Sequence, residues 1–498
     1  MRGTRTVVPA LINGNDVTAT DTGLLARHDP SDGSRLPDVV ISGSDEVETA
    51  VAVCHETFAS GAWSALPPAD RGAVLLRLAD LVERDGALLA ELDSKEAGKP
   101  IRECLAGDVS AALEALRWFG GAADKLHGST SVTAPSEVGM TLREPLGVVA
   151  AIMPWNYPMA QASWKIGPAL AAGNSLVLKP SEWTPSSALH MARLAIEAGV
   201  PAGAIAVLPG SGDVTGAAIA AHPGISALSF TGSVDTGRAV LRAAADSNFK
   251  RVSLEMGGKS PQILMPDALT YGQALIDHMI DSAFMTMGEN CTAGSRILVH
   301  ESIAGEVTER FLGRARALVV GNAMDEATDL GPLITEDAAA RVRTLVRQAV
   351  ADGAELLLGD PLDHPSGPRF VGPVVLRVSD QGSEIQQTEV FGPVVTISTF
   401  SSEDEAVAMA NDSLFGLAAS LWTRDIDRAM RMARAVQAGV VSINSYSEGG
   451  MSMPFGGYKQ SGFGGKERGM AAFEQWTQSK TVWLQLHSDQ PGGVRAAE

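Results

Sequence analysis

Between Gly147 and Gly257 the chain runs through GVVAAIMP, NSLVLKP, AIAVLPG, ISALSFTG and KRVSLEMGG, short apolar stretches that each close on Gly or Pro. The segments between them, Met159–Ala172, Ser186–Ala198, Val214–Ala221 and Val234–Ala245, carry apolar residues at helical spacing. Strands that alternate with helices predict βαβ units and a parallel, doubly wound α/β sheet. Such sheets bind ligands beyond the carboxyl ends of their strands. The residues found at those ends are Pro154, Trp155 and Asn156; Lys179 and Glu182; Gly210 and Gly212; Thr231, Gly232 and Ser233; Glu255 and Gly257.

The flanks extend this architecture. Asp45–Ala59, Ala69–Asp85 and Arg102–Phe119 read as amphipathic helices, and a short strand-like run near Val7–Ile12 precedes the turn-rich DPSDGS. After Gly257, strands are expected near Gln262–Met265, Arg296–Val299, Ala354–Leu358, Val394–Phe400, Ala418–Trp422 and Val440–Asn444, enough for a second α/β domain. Ser129–Arg143, rich in Ser and Thr without helical periodicity, predicts a projecting hairpin. Lys480–Leu486 (KTVWLQL) alternates like a strand and is followed by a polar end. A strand so late in the chain suggests pairing outside the second domain, with another subunit as one option.

A net charge of −19 argues against the basic face that nucleic acid or an anionic membrane requires. No apolar run approaches bilayer length, and MRGTRTVVPALING lacks a signal-type apolar segment, so a cytoplasmic protein is expected. Cys54, Cys104 and Cys291 form no CxxC pair and stand near no histidine cluster, which predicts neither disulfide nor metal site. Cys291 sits in MGENCTAGSR, among small and polar residues. Free cysteine is commonly inert packing, but in such a setting it is also a candidate nucleophile, and its own residues leave both readings open. FTGSVDTG (Phe230–Gly237) follows a strand and opens a helix, whose free N–H groups suit a phosphate. The usual GxGxxG fingerprint is missing at Gly147–Pro158.

PWNYP, KPSEWTP, FTGS, EMGGKSP, GENC, EVFGP and PFGGYKQSG occur here in the order found in the aldehyde dehydrogenase superfamily. The chain resembles that family from about Leu11 to about Trp483. The resemblance implies an NAD-binding domain (1–128 and 147–257), a catalytic domain (258–474) and a small β bridging element (129–146 and 475–498) used for homodimers or homotetramers. It assigns the nucleophile to Cys291, the general base to Glu255 and an oxyanion-stabilising amide to Asn156. The Cys291 thiolate would attack the aldehyde carbon, the adduct would expel hydride to nicotinamide, and Glu255 would activate water to hydrolyse the thioester. Acyl-transferring relatives lack that glutamate, so its presence favours release of the free acid. An inactive scaffold of the same fold is the alternative from another class; it would need none of these three residues.

For the cofactor, the resemblance assigns Ile152, Pro154 and Trp155 to the pocket wall and Lys179 and Glu182 to the adenosine ribose. Gly212, Gly216 and Phe230 fall on the adenine side, Gly232 and Ser233 at the pyrophosphate, and Glu389 and Phe391 at the nicotinamide ribose and ring. A carboxylate at the ribose favours NAD over NADP, although Lys179 is able to assist a 2′-phosphate. The aldehyde tunnel would be lined by Tyr157, Gln161, Trp164, Asn290, Thr292, Glu448 and Phe455. Gln161, Asn290 and Glu448 make it more polar than simple aliphatic aldehydes need, and Gly449 leaves room where relatives often carry an aromatic. These features suggest a polar or amino aldehyde; Glu448 facing water is the competing reading. Glu289 stands where relatives often have Gln, and its role is not legible in the sequence.

Overall fold

A computed structural model describes residues 7–360, 362 and 364–487. The predicted alternation forms one sheet from β1 (Ala10–Ile12), β2 (Asn15–Val17), β3 (Val148–Ile152), β4 (Ser175–Lys179), β5 (Ile205–Val207), β6 (Ala227–Gly232) and β7 (Arg251–Met256). Its order is Gly462–Phe463, β7, β6, β3, β4, β5, β1, β2. The five strands from β7 to β5 are mutually parallel, and the edges are antiparallel. The central strands read as unbroken apolar runs because both faces are covered. Val149 and Ala151 enter one apolar cluster, while Val148, Ala150 and Ile152 enter another on the opposite face. Each Val, Leu or Ile so buried contributes roughly 1.5–3 kcal/mol.

A second sheet is built from β8 (Pro261–Leu264), β9 (Arg296–His300), β10 (Glu355–Leu358), β11 (Val374–Arg377), β12 (Val394–Phe400), β13 (Ala418–Trp422) and β14 (Val440–Ile443), in the order β10, β11, β12, β9, β8, β13, β14. Only β10 runs antiparallel. Four helices matter for the site: α1 (Pro158–Ala171), α2 (Val234–Asp246), α3 (Gln273–Phe284) and α4 (Glu336–Ala351). α1 starts with Pro at its first position, where the missing N–H costs nothing, and buries every residue.

Thr130–Ala134 and Glu137–Pro145 form the expected hairpin, and Thr477–Gln485 pairs antiparallel with the latter strand in the same chain. The polar end expected beyond Leu486 lies, from residue 488 onward, outside the described residues.

The structure departs from the sequence reading in several places. The helix expected over Arg102–Phe119 widens into a π turn at Cys104–Asp108, and that expected over Val214–Ala221 opens with another at Gly212–Gly216. Helical periodicity does not distinguish one inserted residue, which is what a π turn is. Leu24–His28 and Arg35–Val40 also pair as strands, unannounced because Pro37 and the polar turn between them break the strand pattern. A further helix, Gly86–Ala97, went unread.

Candidate active site

Four segments converge beyond the strand ends, and their glycines explain how. A Cβ on Gly258, after β7, would lie 2.4 Å from the Cys291 carbonyl oxygen; one on Gly257 would lie 2.0 Å from Glu389 Oε2. The Gly258 N–H donates to Glu389 Oε1 (3.0 Å), and Ser461 Oγ donates to the Gly257 carbonyl (2.7 Å). EMGGKSP thus meets the GENC backbone through Gly258, the Glu389 carboxylate of EVFGP through Gly257 and the Ser461 hydroxyl of YKQSG, and neither glycine leaves room for a side chain.

Two cavities meet there. The first, about 540 Å³, is lined by Ile152, Pro154, Trp155, Asn156, Lys179, Glu182, Gly212, Phe230, Gly232, Ser233, Glu255, Glu389 and Phe391, and by Cys291. Trp155 and Phe391 meet edge to face, with centroids 5.4 Å apart. Lys179 Nζ lies 3.5 Å from Glu182 Oε2, and burial draws its ammonium below the usual lysine range. Ser233 caps α2, its Oγ accepting from the Thr236 N–H (3.3 Å). Gly216 does not line this cavity: it stands behind the wall, where a Cβ would lie 3.7 Å from Lys179 Cε. The lining suits a dinucleotide: a lysine–glutamate pair for a ribose, a capped helix N-terminus for phosphate and an aromatic pair for a ring. Arg341 of α4 also lines it, its guanidinium fixed by the Glu389 and Val390 carbonyls at 2.7 Å each. No motif marks Arg341 in the sequence.

The second cavity, about 720 Å³, is lined by Tyr157, Gln161, Trp164, Asn290, Glu448 and Phe455, again with Cys291. Trp164 and Phe455 stack edge to face at 5.6 Å. Thr292 is absent from this wall; it is buried behind it, donating to Glu448 Oε1 (2.7 Å) and bonded to Tyr446 Oη (2.8 Å). Glu448 does not simply face water, since Arg468 Nη2 donates to its Oε2 at 2.9 Å. Sequence reasoning missed the far wall. There Lys99 Nζ sits 3.6 Å from the Tyr157 ring centroid and 2.7 Å from Asp108 Oδ1. Glu103 accepts from the Thr286 N–H (2.9 Å), and burial pushes its carboxyl up to about 7. Asp281, near the end of α3, is the lining carboxylate with neither a hydrogen bond nor an ion pair on its side chain among the described residues, though the charges of Arg314 and Arg102 on the same wall reach it.

Cys291 keeps some access between the cavities. Burial first, and then the neighbouring Glu255, raise its thiol well above the ordinary range. Glu255 is buried with both carboxyl oxygens unpartnered, and burial likewise raises it. Each group therefore opposes ionisation of the other, so one negative charge suits the pair better than two. Asn156 Nδ2 donates to the Glu289 carbonyl at 2.8 Å. Because that partner only accepts, the amide must present its nitrogen there, and the second amide hydrogen remains free for an oxyanion. Behind the wall, Lys165 Nζ is fully buried between Glu467 Oε1 (2.6 Å), Ser229 Oγ (3.0 Å) and Thr231 Oγ1 (3.2 Å).

The aldehyde dehydrogenase family model matches residues 17–482. The chain is 40% identical to aminoacetaldehyde dehydrogenase of Pseudomonas aeruginosa over 95% of each protein. It is 41% identical to the NADP/NAD-dependent aldehyde dehydrogenase PuuC of Escherichia coli, over 96% of this chain and 95% of that protein. An indole-3-acetaldehyde dehydrogenase solved with NAD+ superposes with a TM-score of 0.94 at 39% identity, covering 97% of this chain and 98% of the other.

Proposed function

From the premise that the chain belongs to the aldehyde dehydrogenase family, and is an NAD-dependent aldehyde dehydrogenase, we propose that Cys291, Glu255 and Asn156 carry the reaction. The observation that carries this reading is that Cys291 borders both cavities, one fitted to a dinucleotide and one to a polar aldehyde. The Cys291 sulfur adds to the aldehyde carbon once its proton has passed to solvent, and the free Asn156 hydrogen with the Cys291 N–H stabilises the resulting oxyanion. Lys179, Glu182, Ser233 and Glu389 would hold NAD, which when bound would supply the hydride acceptor. The thioester left on Cys291 is cleaved by a water whose proton passes to Glu255, returning the thiol and the carboxylic acid. The bare oxygens of Glu255 suit that task, because no protein donor competes for them.

The substrate class follows from the second cavity and the relatives. An amino aldehyde would find a carboxylate in Asp281, while Glu448 and Asp108 are already matched by Arg468 and Lys99. Residues 1–128 and 147–257 form the cofactor domain, 258–474 the catalytic domain, and 129–146 with the C-terminal strand the bridging element through which two or four copies associate. No described helix is long and apolar enough to cross a membrane; the enzyme works in the cytoplasm and engages no nucleic acid.

Reduced cofactor should appear when the protein meets NAD and a panel of amino, hydroxy and aliphatic aldehydes, and Cys291→Ala should abolish it. Glu255→Gln should keep a first burst of reduced cofactor while steady turnover falls about 10²–10⁴-fold. Loss of burst and turnover together would remove Glu255 from the hydrolytic step.

A further inference from the structure

Glu289 stands two residues before Cys291 and is completely buried. Its Oε1 accepts one long hydrogen bond from the Ile334 N–H (3.3 Å), and its Oε2 has no hydrogen-bond partner among the described residues. The main chain of the same residue is fully used. Its N–H donates to the Thr286 carbonyl (2.8 Å), and its carbonyl receives the Asn156 amide (2.8 Å). One residue therefore ties the nucleophile's loop to the group that would hold the oxyanion.

The turn leading into it is strained. Thr286 and Met287 adopt φ of 53° and 56°, in the left-handed region that side chains avoid, and Gly288 follows at 70°. A Cβ on Gly288 would lie 2.3 Å from the Gly392 carbonyl oxygen. From the other side, Glu103 fastens Thr286 through both its N–H and its hydroxyl. Such a turn persists only while its surroundings dictate it.

We propose that Glu289 is a positioning residue: its uncharged carboxylic acid pegs the loop that carries Cys291, and loss of its proton at alkaline pH unseats that loop together with the Asn156 amide. The proposal rests on the reading of Cys291 as nucleophile. A carboxylate with one bare oxygen and one weak donor has nothing to replace its lost water, whereas the neutral acid tolerates the same site. Titratable and charged groups on the segments round it include Glu103, Tyr157, Cys291, Glu336, Asp337, Arg341 and Glu389. None of them hydrogen-bonds or ion-pairs with the Glu289 carboxyl among the described residues. Burial accordingly raises this carboxyl well above its ordinary range.

Glu289→Gln keeps the size and the acceptor for Ile334 but never ionises. Two rates are compared between the variant and wild type from about pH 6 to about pH 10: kcat with saturating NAD and aldehyde, and alkylation of Cys291 by iodoacetamide without substrate. The alkylation rate is divided by the thiolate fraction measured in the same protein, so that a shift of the thiol caused by the Glu289 charge drops out of its ratio. Both ratios should start near one and rise about tenfold or more with pH, in step with the fraction of wild type that has lost the proton. Flat ratios accompanied by a thermal stability that does diverge with pH would overturn the proposal, leaving Glu289 a buried acid with no hold on the loop. If neither protein oxidised any aldehyde, the catalytic reading would fail, and the alkylation ratio alone would still decide whether Glu289 pegs the loop.

Discussion

Asn156 owes its orientation to a single acceptor, and so does much of the site's geometry. Asn156→Ala should lower kcat about 10²–10³-fold through the lost oxyanion donor. It should also reduce stability by about 1–3 kcal/mol, because the Glu289 carbonyl is left buried and bare. Paired kinetic and denaturation measurements separate the two effects. Glu289 adds a pH signature. Its folded form holds the proton more tightly than the unfolded chain, so stability is complete below the ordinary carboxyl range and declines as pH rises above it. Each pH unit within that window costs wild type about 1.4 kcal/mol. The melting temperature of Glu289→Gln should therefore gain on wild type as pH rises from about 5; parallel curves would mean that the carboxyl ionises freely. The sequence exposed Cys291, Glu255 and Asn156 because each stands in a short motif beside a strand end. Arg341 and Asp281 stand in ordinary helical text, Lys99 in the short turn after the helix Gly86–Ala97, and all three reach the cavities only by tertiary packing. Thr292 and Gly216 illustrate the converse: a neighbour of a site residue in sequence turns its side chain, or its missing one, behind the wall.

At the scale of elements, α3 offers a test of substrate charge. Asp281 lies in the last turn of that helix, where a carboxylate opposes the helix dipole, and the nearby charges of His278, Arg314 and Arg102 only partly offset its burial, which raises its carboxyl. A residue unfavourable to its own helix yet facing a substrate cavity is a candidate for recognition rather than stability. Asp281→Asn should stabilise the protein slightly, by about 0.3–1 kcal/mol. It should also raise KM for amino aldehydes about 2–5-fold, with neutral aldehydes unaffected, as expected of one half-solvated ion pair. An equal change for both substrate types would take Asp281 out of recognition. The strand-end loops are more rigidly determined. Alternation and Gly or Pro punctuation revealed the parallel strands, but nothing in the text of EMGG indicates that one glycine makes room for Glu389 and the next for the Cys291 carbonyl. The two π turns escaped for a similar reason. Each inserts one residue, and the apolar spacing on either side is unchanged.

At the scale of the molecule, the third sheet is the element whose purpose the monomer does not exhaust. Thr477–Gln485 and Thr130–Ala134 are its two edges, each with no neighbouring strand on one side among the described residues. Its surface exposes Val132 at 72%, Trp483 at 54% and Leu484 at 44%. An open edge beside exposed apolar side chains invites strand pairing, and a protein with net charge −19 resists unspecific clustering, which favours one defined partner such as a second copy. Light scattering should accordingly return two or four times the chain mass of 51.8 kDa. Val132→Lys with Trp483→Lys should lower that number while leaving the two internal sheets folded. The cavities draw no lining residue from this sheet, so the dissociated variant should still bind NAD. A wild type that scatters as one chain would refute the association, and an unchanged mass in the lysine variant would move the interface to another face.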